Sequence, residues 1–205
     1  MKILIVDDHA VIRTGLKQLC AERGSQILEA DNGKAALALA AAERPQLIVL
    51  DLNLPGISGL ELLRQLLEID PSARILVFSM HGEPVYAARA LKIGARGYVS
   101  KNASPEELRA AFQRVAAGMT YVEGEIAQHL AAMPDDQRQQ LTERDLEILR
   151  LLGEGRSFTE IAAALGLGYK TVANTATMIK SKLGVARTAD LIRLSVEMGI
   201  PRQGA

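Results

Sequence analysis

The chain has 205 residues, 48% of them hydrophobic and 23% charged, with 24 basic residues balancing 24 acidic ones. This suits ordinary globular cores and excludes a molecule whose overall charge makes it a polyanion binder, so any such contact has to be local. A single cysteine, Cys20, excludes an internal disulfide framework; no Cys/His spacing suggests zinc, and no stretch approaches the ~20 apolar residues of a membrane span.

From Lys2 to about Ala117, short apolar runs alternate with helical patterns. The runs are ILIV, QILEA, LIVL at 47–50, ILVF at 75–78 and GYV at 97–99. Strands of this kind, with neither face polar, suit a parallel sheet covered on both sides. The segments between them are long enough for crossover helices. The clearest is SPEELRAAFQRVAAG, with Ser104 as N-cap, Pro105 first in the helix and Glu107 as the return arm of a capping box. Leu108, Ala111, Phe112 and Val115 recur at helical spacing, and Gly118 stops the helix. Cys20 falls among apolar neighbours in a helical pattern and reads as a buried, inert thiol. Five β–α units in succession predict a doubly wound α/β domain on a five-stranded parallel sheet, over residues 1–120.

Residues 121–140 change character. EGEIAQHLAAM predicts a short helix, carrying His129 as a solvated or packed side chain, and PDDQRQQ is polar, so the stretch reads as a linker. From 141 to 205 the pattern is wholly helical. LTERDLEILRLLGEG starts with Thr142 as N-cap, and SFTEIAAALGLG has Ser157 and Glu160 as a second capping box. YKTVANTATMIKSKLG follows after a short glycine-containing turn, and TADLIRLSVEMGI closes the series. Two short helices joined by a tight turn inside an all-α four-helix unit predict a helix-turn-helix.

In an open parallel sheet, chemistry gathers beyond the carboxyl ends of the strands. The first strand ends at Asp7 and Asp8, the third at Asp51, the fourth at Ser79, and the fifth is followed by Lys101. Two adjacent carboxylates about 5 Å apart repel by roughly 3 kcal/mol at an effective dielectric near 20, so something must offset them. Hard oxygen ligands at one corner suit Mg²⁺. A carboxylate beside a divalent cation, an ammonium and a hydroxyl is also equipped for phosphoryl transfer.

The set of Asp7, Asp8, Asp51, Ser79, Tyr98 and Lys101 in five β–α units resembles the receiver domain of bacterial two-component response regulators, a flavodoxin-like fold. The resemblance implies that Asp51 is the phosphoacceptor. It implies that Asp8, Asp51 and the main-chain carbonyl of Asn53 bind Mg²⁺ directly, with Asp7 helping through water. Ser79 would close on the phosphoryl group, Tyr98 would move inward with it, and Lys101 would pair with the phosphoryl oxygens. Pro55-Gly56 and Gly59 match the family's loop after the phosphoacceptor. From Leu141 to Met198 the chain resembles the LuxR-type helix-turn-helix of the NarL/FixJ subfamily, through LTERDLEILRLLGEG, EIAAALGLGYKTV and KSKLGV.

On a helical wheel, Val172, Ala176, Ile179 and Leu183 form the core stripe of the second helix of that motif. The opposite face carries Lys170, Asn174, Thr177 and Ser181, flanked by Ala173 and Met178, with Thr171 beside Lys170. No acid occurs between Tyr169 and Leu183, so this helix can enter a polyanionic groove. Lys170, Thr171, Asn174, Thr177, Met178, Lys180 and Lys182 are the candidate DNA-binding residues. Lys180 and Lys182 read equally as cations favoured by the helix C-terminus. Many relatives carry a lysine or histidine where this chain has Ala173 and Thr175, so the family's typical base contacts cannot be carried over there.

These readings predict a DNA-binding transcriptional response regulator of a two-component phosphorelay, cytoplasmic and without a membrane partner. Its expected partners are a cognate histidine kinase, double-stranded promoter DNA and a second copy of itself, as a homodimer when phosphorylated or on DNA. The rival is an aspartyl-phosphate phosphatase or phosphotransferase. Against it, Asn53 stands where such an enzyme would place a second acid, and no cap domain for a substrate is evident.

Overall fold

The apolar run after Met1 becomes β1 (Lys2–Val6), and four of its five residues are sealed from solvent. It is followed by α1 (Ala10–Cys20), β2 (Gln26–Ala30), α2 (Gly33–Glu43), β3 (Leu47–Leu50), α3 (Gly59–Ile69), β4 (Arg74–Ser79), α4 (Pro84–Ile93), β5 (Gly97–Ser100) and α5 (Pro105–Ala116). The computed structural model of the chain describes residues 1–20, 25–80, 84–132, 141–183 and 185–197. The chain divides into two compact units, Met1–Ala131 and Ala132–Ala205.

In the first unit the strands, β6 (Tyr121–Val122) included, are all parallel, in the order β2-β1-β3-β4-β5-β6. Side chains alternate between the two faces of each strand. Ile3, Ile5, Leu47, Val49, Leu76, Phe78 and Val99 share one core with Leu16 and Cys20 of α1 and with Ala111, Phe112 and Val115 of α5. Leu4, Ile48, Leu50, Ile75 and Val77 alternate to the other face and are equally buried. The helices α2, α3 and α4 pack in sequence on one another, with α2 against β1 and α4 against β5. The sheet is therefore covered on both faces, as its continuously apolar strands require. The order reverses between β1 and β3, so the crevice beyond their carboxyl ends is the natural place for a site.

The sheet has six strands rather than the expected five. The extra one, β6 (Tyr121–Val122), comes from the stretch assigned to the linker and leads into α6 (Gly124–Ala132). It forms because Tyr121 pairs with Gly97 and Val122 with Tyr98, covering an edge of β5 that would otherwise stay open. The PDDQRQQ stretch lies outside the described residues. His129 sits exposed on α6, its ring Nδ1 donating to the Glu125 carbonyl at 2.9 Å.

Local signals in the sequence are realised at α5. The Ser104 hydroxyl accepts the Glu107 N–H at 3.2 Å, and the Glu107 carboxylate accepts the Ser104 N–H at 3.2 Å. Caps of this kind satisfy donors that the first helical turn leaves unpaired.

The second unit contains α7 (Glu143–Gly153), α8 (Phe158–Leu165), α9 (Tyr169–Lys182) and α10 (Thr188–Glu197). Thr142 and Ser157 cap α7 and α8 in capping boxes closed by Asp145 and Glu160. Gly166 ends α8 with φ +64°, the left-handed turn that releases the chain into α9 after two further residues. Leu146, Leu149, Ile161, Val172, Ile179 and Leu191 are fully buried together in the core of this unit. Its helices pack α10 on α7, α9 on α8 and α9 on α7. Among the described residues no helix is long and apolar enough to cross a membrane.

Candidate functional site

The strand ends bring three carboxylates and an ammonium together. Asp7 follows β1 and Asp51 follows β3, held by Asp7 N–H to the Ala30 carbonyl and Asp51 N–H to the Val6 carbonyl. Both carboxylates are 1% exposed. The Lys101 ammonium, 5% exposed, lies 2.6 Å from Asp51 Oδ2 and 2.7 Å from Asp7 Oδ2. Burial by itself would pull this lysine's pKa down. The charges of Asp51 and Asp7, with their hydrogen bonds, outweigh that and leave it above its ordinary value.

The backbone shapes the rest of the pocket. Asp51 Oδ1 accepts the Asn53 N–H at 3.0 Å, which folds the loop after β3 against the carboxylate. That loop also runs close under the start of α3: a Cβ on Gly59 would sit 2.2 Å from the Leu52 Cα. Asp7 Oδ1 accepts the His9 N–H at 2.8 Å, which fixes the turn from β1 into α1. Arg13 donates to the Asp7 carbonyl at 2.8 Å and also reaches Glu29 at 3.3 Å.

Asp8 is exposed at the mouth, and the His9 ring Nδ1 is 2.7 Å from its Oδ1 and 3.3 Å from Asp7 Oδ1. Reading the sequence missed His9 as a member of this cluster. The available signal was its place directly after two acids at a strand end. Ligand atoms of Asp7, Asp8, His9 and Asp51 all lie within 4.8 Å of one another, close enough to hold one metal ion. Asp7 Oδ2 supplies a further reason to expect a cation. It is buried, and its one partner among the described residues is the Lys101 ammonium at 2.7 Å, which also serves Asp51, so one ammonium is left to balance the carboxylates clustered there. Buried charge left over in this way costs free energy unless a further cation or water meets it.

Ser79 ends β4, fully buried, and its carbonyl accepts the Lys101 N–H at 2.8 Å. Tyr98 is also completely buried. The inward movement implied for Tyr98 therefore has no room to occur from this state, because the ring already occupies the interior.

In the second unit, Lys170, Thr171, Asn174, Thr177 and Met178 are exposed along α9, while Val172, Ala176 and Ile179 are buried beneath them. Leu183, expected in the same stripe, is half-buried, and the side chain of Ser181 lies outside the described residues. Thr177 donates its hydroxyl to the Ala173 carbonyl at 3.0 Å, which leaves its methyl and an oxygen lone pair facing outward. Lys180 is half-buried with its charge at the helix end. Lys182 pairs with Asp145, a carboxylate 4% exposed that also accepts the Thr142 N–H. Its ammonium thus fastens the end of α9 to the start of α7, a use that neither the phosphate reading nor the helix-end reading included.

Two known families match this arrangement in chain order. Residues 3–113 match the response regulator receiver domain, and residues 139–195 match the bacterial regulatory proteins of the luxR family. The transcriptional activator protein ExaE of Pseudomonas putida is 40% identical over 214 residues, covering 100% of both chains. The transcriptional regulatory protein UhpA of Salmonella typhimurium is 39% identical over 191 residues, covering 92% of this chain and 94% of the relative. RcsB of Salmonella enterica serovar Typhimurium, solved bound to promoter rprA with the phosphomimetic BeF3-, is 26% identical. It superposes with a TM-score of 0.72 over 94% of this chain and 96% of that one. The chain belongs to the transcriptional response regulators that join a receiver domain to a luxR-type helix-turn-helix.

Proposed function

We propose that Asp51 is the phosphoacceptor through which a histidine kinase controls DNA binding by this regulator. The observation that carries the reading is the Asp51 carboxylate, buried at the switch point of the sheet, with Lys101 on one oxygen and the Asn53 N–H on the other. In the transfer, an Asp51 oxygen attacks the phosphorus of the kinase's phosphohistidine. The O–P bond forms as the N–P bond breaks, and the leaving imidazole takes up a proton. Both Asp51 oxygens are engaged, so one must be released first. Lys101 provides for this: as it moves onto the incoming phosphoryl oxygens it frees Oδ2, while the Asn53 N–H keeps Oδ1 in place.

Asp8, Asp51 and the carbonyl of Asn53 would hold Mg²⁺, with Asp7 assisting through water. Bound there, Mg²⁺ supplies positive charge that neutralises the phosphoryl oxygens. The buried Asp7 carboxylate, sharing one ammonium with Asp51, and the clustered carboxylates beside it support that assignment. Ser79 donates its hydroxyl to the phosphoryl group, and Tyr98 serves from its buried position. The pocket returns to its starting state when water attacks the phosphorus and the Asp51 O–P bond breaks, giving inorganic phosphate and the Asp51 carboxylate.

Phosphorylation replaces the single charge of the Asp51 carboxylate with an acyl phosphate carrying roughly −1.5 to −2, a net gain of about one-half to one negative charge, and places new acceptor oxygens at the rim. Moving a two-state equilibrium from 1:99 to 99:1 takes about 5.5 kcal/mol of differential interaction, and an ammonium, a hydroxyl and a divalent cation together supply several of these. The output is duplex DNA bound by α9, with Asn174 reading a base edge, Lys170 on a phosphate or guanine, and Thr171, Thr177 and Met178 lining the contact. Lys180 meets a phosphate, and Lys182 acts chiefly by holding α9 in place. The receiver spans 1–120, extended by β6 and α6, and the DNA-binding domain 141–205; two copies bind DNA together, as the solved RcsB dimers do. The test is labelling by acetyl phosphate in Mg²⁺: the chain should take up one phosphoryl group, and Asp51→Asn should take up none. Undiminished labelling of Asp51→Asn would sink the assignment.

A further inference from the structure

Glu123 sits where β6 turns into α6, 8% exposed, and the phosphoacceptor chemistry makes no use of it. Its carboxylate reaches back to Ser100, the residue before Lys101. Oε2 accepts the Ser100 N–H at 2.7 Å, and Oε1 accepts the Ser100 hydroxyl at 3.3 Å. The main chain explains why. Glu123 N–H donates to the Tyr98 carbonyl at 3.1 Å, which sets the parallel register, and in a continued ladder the Ser100 N–H would go to the Glu123 carbonyl. That carbonyl is already committed to the Ala127 N–H at 2.8 Å, the first turn of α6. The carboxylate takes the carbonyl's place, so a buried charge is satisfied and the ladder gains one more rung.

The Ser100–Lys101 backbone is thereby fixed from both sides. On one edge the Lys101 N–H is bonded to Ser79 at 2.8 Å; on the other Ser100 is bonded to Glu123. A lysine that leaves Asp51 must move its own backbone or bend its side chain. Held this way, any backbone shift is handed to Glu123, whose carbonyl starts α6. We propose that Glu123 is the positioning residue for Lys101, and that it couples the state of the Asp51 pocket to the first turn of α6. The signal it carries rests on Asp51 being the phosphoacceptor; the coupling itself does not need phosphorylation.

The experiment is residue-resolved amide exchange by NMR on the full chain, with the Ala127 and Ser100 amides as reporters. Asp51→Asn alters the charge that holds Lys101. It should change Ala127 exchange by about threefold or more, the effect of weakening one hydrogen bond. In a Glu123→Ala background that response should vanish. Glu123→Gln should retain it, because the amide oxygen still accepts from Ser100; a merely space-filling role predicts no such rescue. Glu123→Ser, whose hydroxyl is too short to reach Ser100, replaces the alanine variant if the latter does not fold. An equal Ala127 response with and without the carboxylate overturns the proposal, as does the absence of any response in the wild-type background. A second arm adds BeF3- with Mg²⁺ to the wild-type chain. Perturbation at Asp51 without change at Ala127 overturns the coupling and spares the phosphoacceptor reading. Failure of BeF3- to perturb Asp51 counts against that reading, and the Asp51→Asn comparison still decides the coupling.

Discussion

Replacing Lys101 with methionine removes the ammonium held between Asp51 and Asp7 while keeping most of the side chain's volume. The nitrogen is 2.6 Å from one carboxylate oxygen and 2.7 Å from the other, so those two oxygens stand at most about 5.3 Å apart. At an effective dielectric near 20, two unit charges at that separation repel by roughly 3 kcal/mol once nothing lies between them. Removing one partner from a buried ion pair costs about 3–5 kcal/mol for the same reason, an uncompensated buried charge. The first unit should therefore lose about 3 kcal/mol of stability in EDTA. The slowest amides of β1 and β3 report global opening of this unit, and their exchange should accelerate by roughly 100-fold or more. A divalent cation at ten times its Kd contributes about 1.4 kcal/mol. Because Mg²⁺ no longer competes with an ammonium in the variant, it should restore more stability there than in the wild-type chain. A loss below about 1 kcal/mol, with an unchanged Mg²⁺ response, would refute the account of the pocket as a charge cluster awaiting a cation.

Asp8→Ala should stabilise the metal-free chain and abolish the rise in melting temperature that millimolar Mg²⁺ gives the wild type. A preserved Mg²⁺ response in that variant would place the cation elsewhere. Asn174→Ala should cost about 1–3 kcal/mol at a specific DNA site and little on random duplex; equal losses on both would end its base-reading role. Lys180→Met should lower the dependence of log affinity on log salt by about 0.9 per protomer. Lys182→Met should leave that slope nearly unchanged and instead destabilise the second unit, seen as faster exchange in α7. Glu29 has its pKa lowered, chiefly by the hydrogen bond from Lys17; desolvation opposes this, and the Lys17 charge with the hydrogen bond and charge of Arg13 add to the lowering. The stability it contributes is present above the unfolded carboxylate pKa and is lost as pH falls through the lower folded value. Glu29→Gln should therefore lower stability at pH 7, by no more than the worth of an exposed ion pair, about 1 kcal/mol or less, and flatten the fall in stability as pH drops below about 4.5.

The strands of the receiver were legible because their apolar runs are short, β-rich and evenly spaced, and the caps at Ser104, Thr142 and Ser157 carry their partners three residues on. The pocket acids were legible because each stands directly after such a run. Tyr121–Val122 was not, since two residues make no pattern; their strand exists only because β5 offers an edge in register. Glu123 looked like linker for the same reason, its role depending on Ser100, 23 residues away. Lys182 was ambiguous because the helix-end reading needs only local sequence. Its partner Asp145 lies 37 residues earlier and becomes a neighbour only when α7 packs against α9. The state of Tyr98 was also beyond reach. A tyrosine on a strand reads the same whether its ring lies inside or out, and packing alone puts it inside here.

The most direct measurement is a footprint of the full chain on genomic DNA in Mg²⁺, with and without acetyl phosphate, for wild type and Asp51→Asn. Phosphorylation should strengthen protection at discrete sites in the wild type and leave the Asp51→Asn pattern unchanged. Identical footprints for the phosphorylated and unphosphorylated wild-type chain would contradict control through Asp51.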